Sequence, residues 1–265
     1  MPGCPASPKS GQNSPVGANY SEVMLGISGG DPAFGADDGS ADPGVSGSLS
    51  AFAAGEGCEH AALTALAGSR LLVPVVAMLA EEGVSELGQP SASKPPAGGE
   101  KGSEMAMPTL IGLDSRRAIP AFTCVDSMRR WHAEARPVPV AARNLWQAAL
   151  ADDCAVVIDV AGPVPFAIEG ARLAALAGGE PAPEPYQDPD VHEIVAAALA
   201  SKLDIASFDL RPGEDGRDLE IVLALADGHR GGDASEIGAA IAGEVMTRLG
   251  GRLRRGVAIW CEPPP

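Results

Sequence analysis

The chain is poor in the residue types that most often do chemistry. Aromatic residues make up 4% of its 265 positions, and its four histidines are dispersed at His60, His132, His192 and His229. No two of them stand four apart, so a helical pair of metal ligands is excluded. Cys58-Glu59-His60 supplies at most part of a ligand set, and structural zinc needs four ligands; no metal or other cofactor is expected. The five cysteines, Cys4, Cys58, Cys124, Cys154 and Cys261, show no C-x-x-C spacing. An odd and scattered set argues against a disulfide framework and suits a reducing compartment. Long apolar runs are missing too: the longest, Leu71 to Ala80, is interrupted by Pro74 and is too short to span a bilayer. Residues 1–20 have neither a basic start nor an apolar stretch, so no secretory signal is read and the cytoplasm is the expected location.

Positive charge is the other scarcity. Lys and Arg total 19 against 35 Asp and Glu, a net charge of −16. A nucleic-acid binder needs a basic face to displace counterions from phosphate, and an anionic membrane asks for the same; neither partner is expected. The balance is −5 over residues 1–57, −5 over 58–184 and −6 over 185–265, so no acidic tail causes it. A self-repelling, soluble surface accounts for it. Fifteen Arg against four Lys, beside abundant Ala, Gly and Pro, is the bias of a GC-rich bacterial genome rather than a functional signal.

Nucleotide cradles are absent: there is no G-x-x-x-x-G-K-[ST] and no G-x-G-x-x-G after a strand. One hydrolase pattern, G-x-S-x-G, occurs at Gly26-Ile27-Ser28-Gly29-Gly30. The elbow works only where a strand-turn-helix presents the Ser, and here Asp31-Pro32 and low-complexity sequence follow. The match is a chance one.

What is present is 45% apolar residues, enough for a core. Residues 1–57 are rich in Gly, Ser, Pro and Ala without a sustained apolar period and read as a disordered leader, with one short strand allowed at Tyr20 to Ile27. A domain is expected over 58–178: a helix over 59–67 stopped by Gly68, and a strand over 71–76 that Pro74 makes an edge or bulged one. A long loop over 83–104 and strands at 105–113 and 118–122 joined by Asp114-Ser115 come next. Thr123 and Asp126 read as a T-x-x-D capping box, opening a short helix with Val125, Met128 and Trp131 inward. Arg136-Pro137-Val138-Pro139 is expected as an extended link, followed by a helix over 141–151, a buried strand over 155–160, a turn at Gly162-Pro163 and a closing helix over 168–176.

Residues 179–187 read as a Pro-rich linker. Residues 188–262 then give α-β-β-α-β: Asp188 and Pro189 start a helix with Ile194, Ala198 and Leu199 inward. Strands follow at 205–210 and 219–225. Asp233 and Glu236 cap a helix with Ile237, Ile241, Val245 and Leu249 inward, and Gly250-Gly251 stops it before a last strand over 257–261. The fold class is α+β: two small mixed or antiparallel-sheet domains with helices packed on the sheets, behind a disordered leader.

One stretch departs from the acidic background. Arg116, Arg117, Arg129, Arg130, Arg136 and Arg143 outnumber Asp114, Asp126 and Glu134, with Phe122 and Trp131 interleaved. Arg and aromatic residues together are the material of binding hot spots. The segment is therefore a candidate interaction surface (Arg116, Arg129, Arg130, Arg136, Phe122 and Trp131) for another protein or a small anion. The plainer reading makes Trp131 core and the Arg residues solvated.

These same residues carry a resemblance. Leu72-Val73-Pro74-Val75 after a helix, Pro120-Ala121-Phe122-Thr123 followed by Trp131, Ala135-Arg136-Pro137-Val138-Pro139, and Val157-Ile158-Asp159 leading to Gly162-Pro163 resemble the N-terminal domain of the SseB family. The resemblance covers residues 58–178, and 188–262 is similar, more weakly, to that family's C-terminal domain. It implies a cytoplasmic bacterial protein with no assigned enzymatic mechanism, so no catalytic residue is carried over. Two classes of function stand: a non-catalytic binding or regulatory protein, and an enzyme with an unrecognised site near Cys124 or Asp159 in a groove between the domains. Cys124 is a candidate because it stands at a helix N-terminus, where a thiolate is favoured; Asp159, at a strand end, reads more readily as an acceptor of turn amides.

Overall fold

Asp42 and Pro43 start a helix where the composition predicts none. In the computed structural model, which describes residues 32–79, 103–112, 115–162, 164–200, 202, 205–225 and 234–262, α1 runs over Pro43–Ala54. Asp42 caps it by accepting Gly44 N–H (2.8 Å) and Val45 N–H (3.0 Å), with Pro43 in the first turn. Gly55, at φ 75°, ends it in the left-handed conformation that glycine adopts without a Cβ clash. Val45 and Phe52 are buried, and the Phe52 ring meets Phe166 edge-on at 5.1 Å. The expectation of disorder through residue 57 is thus corrected from Pro32 onward: two apolar anchors one helical face apart suffice to dock a Gly/Ser-rich segment. The readings on residues 1–31, including Tyr20 to Ile27 and Gly26 to Gly30, lie outside the described residues. So do most of the 83–104 loop, Asp114, Pro163 and Asp233.

The first unit continues with α2 (Glu59–Ala67), β1 (Arg70–Leu79), β2 (Ser103–Ala106), β3 (Leu110–Ile111), β4 (Arg117–Ala121), α3 (Val125–Trp131), β5 (Arg136–Ala141), α4 (Ala142–Ala151), β6 (Ala155–Ile158), β7 (Phe166–Ile168) and α5 (Gly170–Gly178). Its strands make an antiparallel sheet in the order β2-β1-β5 and a mixed four-stranded sheet β3-β4-β6-β7. A bridge between Leu72 and Phe122 stitches the two together. The strand expected at 105–113 is really two, divided between the sheets, and β7, which the sequence reading does not include, ends on Ile168, the first residue of the expected closing helix.

Prolines did not prevent strand formation, and the register shows why. Leu72 exchanges both backbone bonds with Phe122, at 2.8 Å each, so its N–H faces away from β5. Antiparallel residues alternate in this respect. Pro74 shares the parity of Leu72, and these two residues pair with Pro137 and Pro139 of β5. All three prolines therefore fall where the β1–β5 ladder draws no N–H. Arg136 to Pro139 is a strand rather than a link, and β1 is an inner strand whose pairing with β2 begins only at Val76.

The second unit holds α6 (Pro189–Leu199), β8 (Ile205–Pro212), β9 (Leu219–Leu225), α7 (Ala234–Arg248) and β10 (Val257–Glu262), with β10 parallel and β8 antiparallel to the central β9. Asp188 caps α6 as its sequence predicts, accepting Asp190 N–H at 2.9 Å. Val191 and Val195 lead the buried stripe of α6 in place of Ile194, which is half-buried. Leu219, Ile221, Leu223 and Leu225 are buried on β9, and Ile241, Val245 and Leu249 along and just after α7. The fold is α+β, with seven helices and three small sheets among the described residues. Ala182 of the expected linker is buried against the first core and Tyr186 packs on the second, so that segment is held at both ends.

The two units meet over buried charge. Glu59 accepts Arg172 Nη1 (2.6 Å) and, with both oxygens, Arg252 Nε and Nη2 (3.0 Å each at the nearest), while Arg252 Nη2 also reaches Asp188 Oδ2 at 2.5 Å. Arg254 donates to Ala53 O at 2.7 Å. Ala171 N–H donates to Asp190 Oδ2 at 2.8 Å, an approach that needs Gly170: a Cβ there would lie 2.0 Å from the same oxygen.

Two outcomes follow from this packing. Phe52→Ala should lower stability by about 3–5 kcal/mol in urea unfolding; a loss under about 1 kcal/mol would return α1 to the leader. Arg252→Met should cost about 3–5 kcal/mol, because it leaves Glu59 and Asp188 buried with one cation between them, and the midpoint of thermal unfolding should fall accordingly.

Candidate functional site

Strand alternation builds the site. In β4, β6 and β7 the residues Ile119, Ala121, Val156, Ile158, Phe166 and Ile168 are buried toward the first core. Their neighbours Ala118, Ala155, Val157 and Ala167 stand on the other face, since successive side chains point oppositely. Ala118 is in register with Ala155, and Val157 with Ala167. That face is the floor of a groove of about 780 Å³, walled by Leu110 and Ile111 of β3 on one side and by Trp131 and Val160 on the other. Arg116, Arg117 and Arg130 stand at its rim, with Glu169 the one acid among the lining residues.

Asp159 fixes the wall. It ends β6 at φ 48°, a left-handed conformation that Asp tolerates. Its carboxylate accepts Thr123 N–H (3.0 Å), Thr123 Oγ1 (2.7 Å) and the Ser127 hydroxyl. With Thr123 so engaged, the expected T-x-x-D box does not form. Cys124 is the N-cap instead: its Sγ accepts Ser127 N–H at 3.4 Å, and Ser127 Oγ accepts Cys124 N–H at 3.5 Å. The seven-residue α3 is therefore anchored at its start, and its far end delivers Arg130 and Trp131 to the groove. Phe122 and Met128, both 0% exposed, support it from below, with the Phe122 ring 5.6 Å from that of Trp131.

The predicted residues divide. Arg116, Arg130 and Trp131 come together around one groove, with Arg117 beside them. Phe122 is wholly buried and contributes support, not contact surface. Arg129 and Arg136 are exposed but line no part of the groove; Arg136 belongs to the other sheet, opposite Val75. At the rim, Arg116 pairs with Glu169 and Arg117 donates to Asp152 O. Arg130 has no ion pair or hydrogen-bonded side-chain partner among the described residues, and neither has Arg129. The apolar floor escaped sequence reading because Ala155 to Val160 scans as a strand buried on both faces and the three-residue β7 is too short to give a period of its own.

Neither residue of the enzymatic reading sits between the units, and neither lines the hollow found there. Among the described residues the Cys124 thiol has Ser127 as its one hydrogen-bond partner, and Asp159 accepts from hydroxyl and amide donors. Burial pushes the Cys154 and Cys261 thiols up, away from thiolate chemistry. No group of three or more His, Cys, Asp or Glu among the described residues could hold a metal ion. Nor is any described helix long and apolar enough to cross a membrane.

Fold and site define an α+β protein whose N-terminal unit presents a sheet face that no described residues cover, beside an Arg/Trp rim. Residues 45–175 match the SseB protein N-terminal domain, and the chain belongs to the SseB family. The match begins inside α1, which makes that helix part of the domain, and it stops before the second unit. No curated protein and no solved structure matches the chain.

The anchoring role of Asp159 has a measurable consequence. Asp159→Ala leaves the buried Thr123 and Ser127 donors without their acceptor, at a cost of about 1–3 kcal/mol, and amide exchange over residues 124–131 should accelerate more than exchange in α4. Equal acceleration in both helices would mean that Asp159 holds the whole unit rather than α3.

Proposed function

We propose that this chain is a non-catalytic, cytoplasmic binding protein with a regulatory role, and that the groove on its uncovered sheet face receives an acidic segment of a partner protein. The reading rests on one observation: an unpaired Arg130 at the rim of an apolar groove, in a chain that is otherwise strongly acidic. The floor takes apolar side chains of an extended or helical segment, Trp131 supplies a rigid aromatic wall, and Arg130, with the exposed Arg129 next to it in α3, meets carboxylates flanking the anchor. Charge complementarity selects this occupant. A second copy would bring two chains of −16 together, and a nucleic acid would feel the same repulsion along its length. A short acidic segment is attracted within about 8–10 Å of the rim, the screening distance at physiological salt.

Placing the photo-crosslinker p-benzoylphenylalanine at Val157, on the groove floor, and at Glu193, outside it, tests the assignment in cells. Peptides cross-linked from position 157 alone should be acidic. The R129E/R130E double substitution should reduce their yield at least about fivefold with the thermal midpoint unchanged. Cross-links to nucleic acid or to a second copy, or yields indifferent to the charge reversal, would overturn the reading.

A further inference from the structure

A second hollow, of about 590 Å³, lies where the two units meet, bounded by Phe166, Arg172 and Ile194 and by the Arg248 to Arg252 segment. Arg172 is 2% exposed there. Its Nη1 donates to Glu59 Oε1 and to Ala167 O (3.2 Å), but Nε is buried with no acceptor at all, and Nη2 has none among the described residues. None of the surrounding carboxylates reaches Nε. Both Glu59 oxygens are taken by Arg172 and Arg252; Asp188 uses one oxygen on Arg252 and the other to cap α6. Asp190 is held by Ala171 N–H and Glu169 by Arg116.

A buried guanidinium with unmet N–H donors is costly unless an acceptor reaches it. Two further donors line the same hollow. Gly251, at φ 87°, has an N–H with no acceptor among the described residues, and Arg248 is about half exposed with Glu244 as its one partner. Apolar walls at Phe166, Ile194 and Leu249 complete it. Glu59, Glu169, Asp190 and Glu193 also line it, against five arginines, so the hollow is about as polar as it is apolar and carries a small excess of positive charge. A concave junction with convergent polar groups is a form that small-molecule sites take.

We propose that this hollow binds a small organic anion, its carboxylate or phosphate facing Arg172, Arg248 and the Gly251 N–H and its apolar body lying against Phe166 and Ile194. The site has Arg116 and Glu169 in common with the sheet-face groove as a shared wall, but it does not depend on the partner-binding reading. It makes the chain a sensor in form: the ligand touches both units at once, beside their buried charge cluster.

Phenyl phosphate, benzoate and benzylamine serve as probes at constant salt, with calorimetry for affinity and the Arg172 Nε–H resonance for location. Both anions should bind with Kd of about 1 mM or tighter and shift the Arg172 Nε–H signal, and benzylamine should do neither. The tighter of the two anions identifies the head group. Arg172→Lys should weaken binding at least about tenfold; because Arg172 is also part of the cluster, Arg248→Glu provides the same test on a surface residue. Val157→Lys, in the sheet-face groove, should leave the affinity unchanged. Binding of benzylamine equal to that of the anions, no shift of the Arg172 signal at saturating probe, retention of affinity in R248E, or its loss in V157K would each reject the site.

Discussion

Four charges that water hardly reaches hold this molecule in its arrangement. Glu59 is 4% exposed, Arg172 2%, Arg252 14% at its side chain and Asp188 0% at its side chain. Two cations face two carboxylates, so the cluster is neutral, and its partners are drawn from α2, α5, the start of α6 and the segment before β10. Buried ion pairs contribute little net stability compared with apolar packing of the same volume, but removing one member is expensive. Such a cluster is therefore a device for fixing geometry. Both carboxylates also stand at helix N-termini, Glu59 in the first turn of α2 and Asp188 as the cap of α6. The helix dipoles favour negative charge there and offset part of the desolvation.

That constraint explains why the two cores behave as neighbours rather than as beads. Arg252 reaches Glu59 across 193 positions of sequence, and Arg254 closes on the end of α1. The segment over 179–187 is packed at Ala182 and Tyr186, so it does not act as a free tether. The N-terminal unit is thus pinned from two sides, by the charge cluster at α2 and α5 and by Asp159 at α3. The face of the four-stranded sheet that the described residues leave bare belongs to that unit. A binding groove needs this rigidity, since contacts made by a wall that moves are diminished by the entropy of ordering it.

How much of this the sequence disclosed depends on the range over which each signal acts. Period and caps revealed α2, α4, α6 and β9, because those are local: Gly68 stops one helix, Asp188-Pro189 starts another, and alternation at Leu219, Ile221, Leu223 and Leu225 is unambiguous. Helix α1 was hidden because its two anchors, Val45 and Phe52, are embedded among Gly and Ser and find partners such as Phe166 more than a hundred residues away. The prolines of β5 read as obstacles until the register showed that none of them is asked for an N–H. The site was half visible. Arg116, Arg130 and Trp131 gather because the β3–β4 hairpin and α3 flank one sheet, whereas Phe122 sits beneath and Arg136 on the neighbouring sheet. The charge cluster was not visible at all, as no spacing rule links Glu59, Arg172, Asp188 and Arg252.

The two hollows share a wall. Arg116 and Glu169 line both the sheet-face groove and the junction hollow, and they pair with each other across side chains that are 66% and 38% exposed. An exposed pair of this kind contributes about 0–1 kcal/mol and weakens with salt, so it is easily exchanged for a better partner on either side. Coupling between sites has to be carried by an element that both can bias. In this fold the Arg116–Glu169 pair is the charged contact that both hollows share, standing at the end of β7 where the sheet with the groove passes into α5 and its buried Arg172.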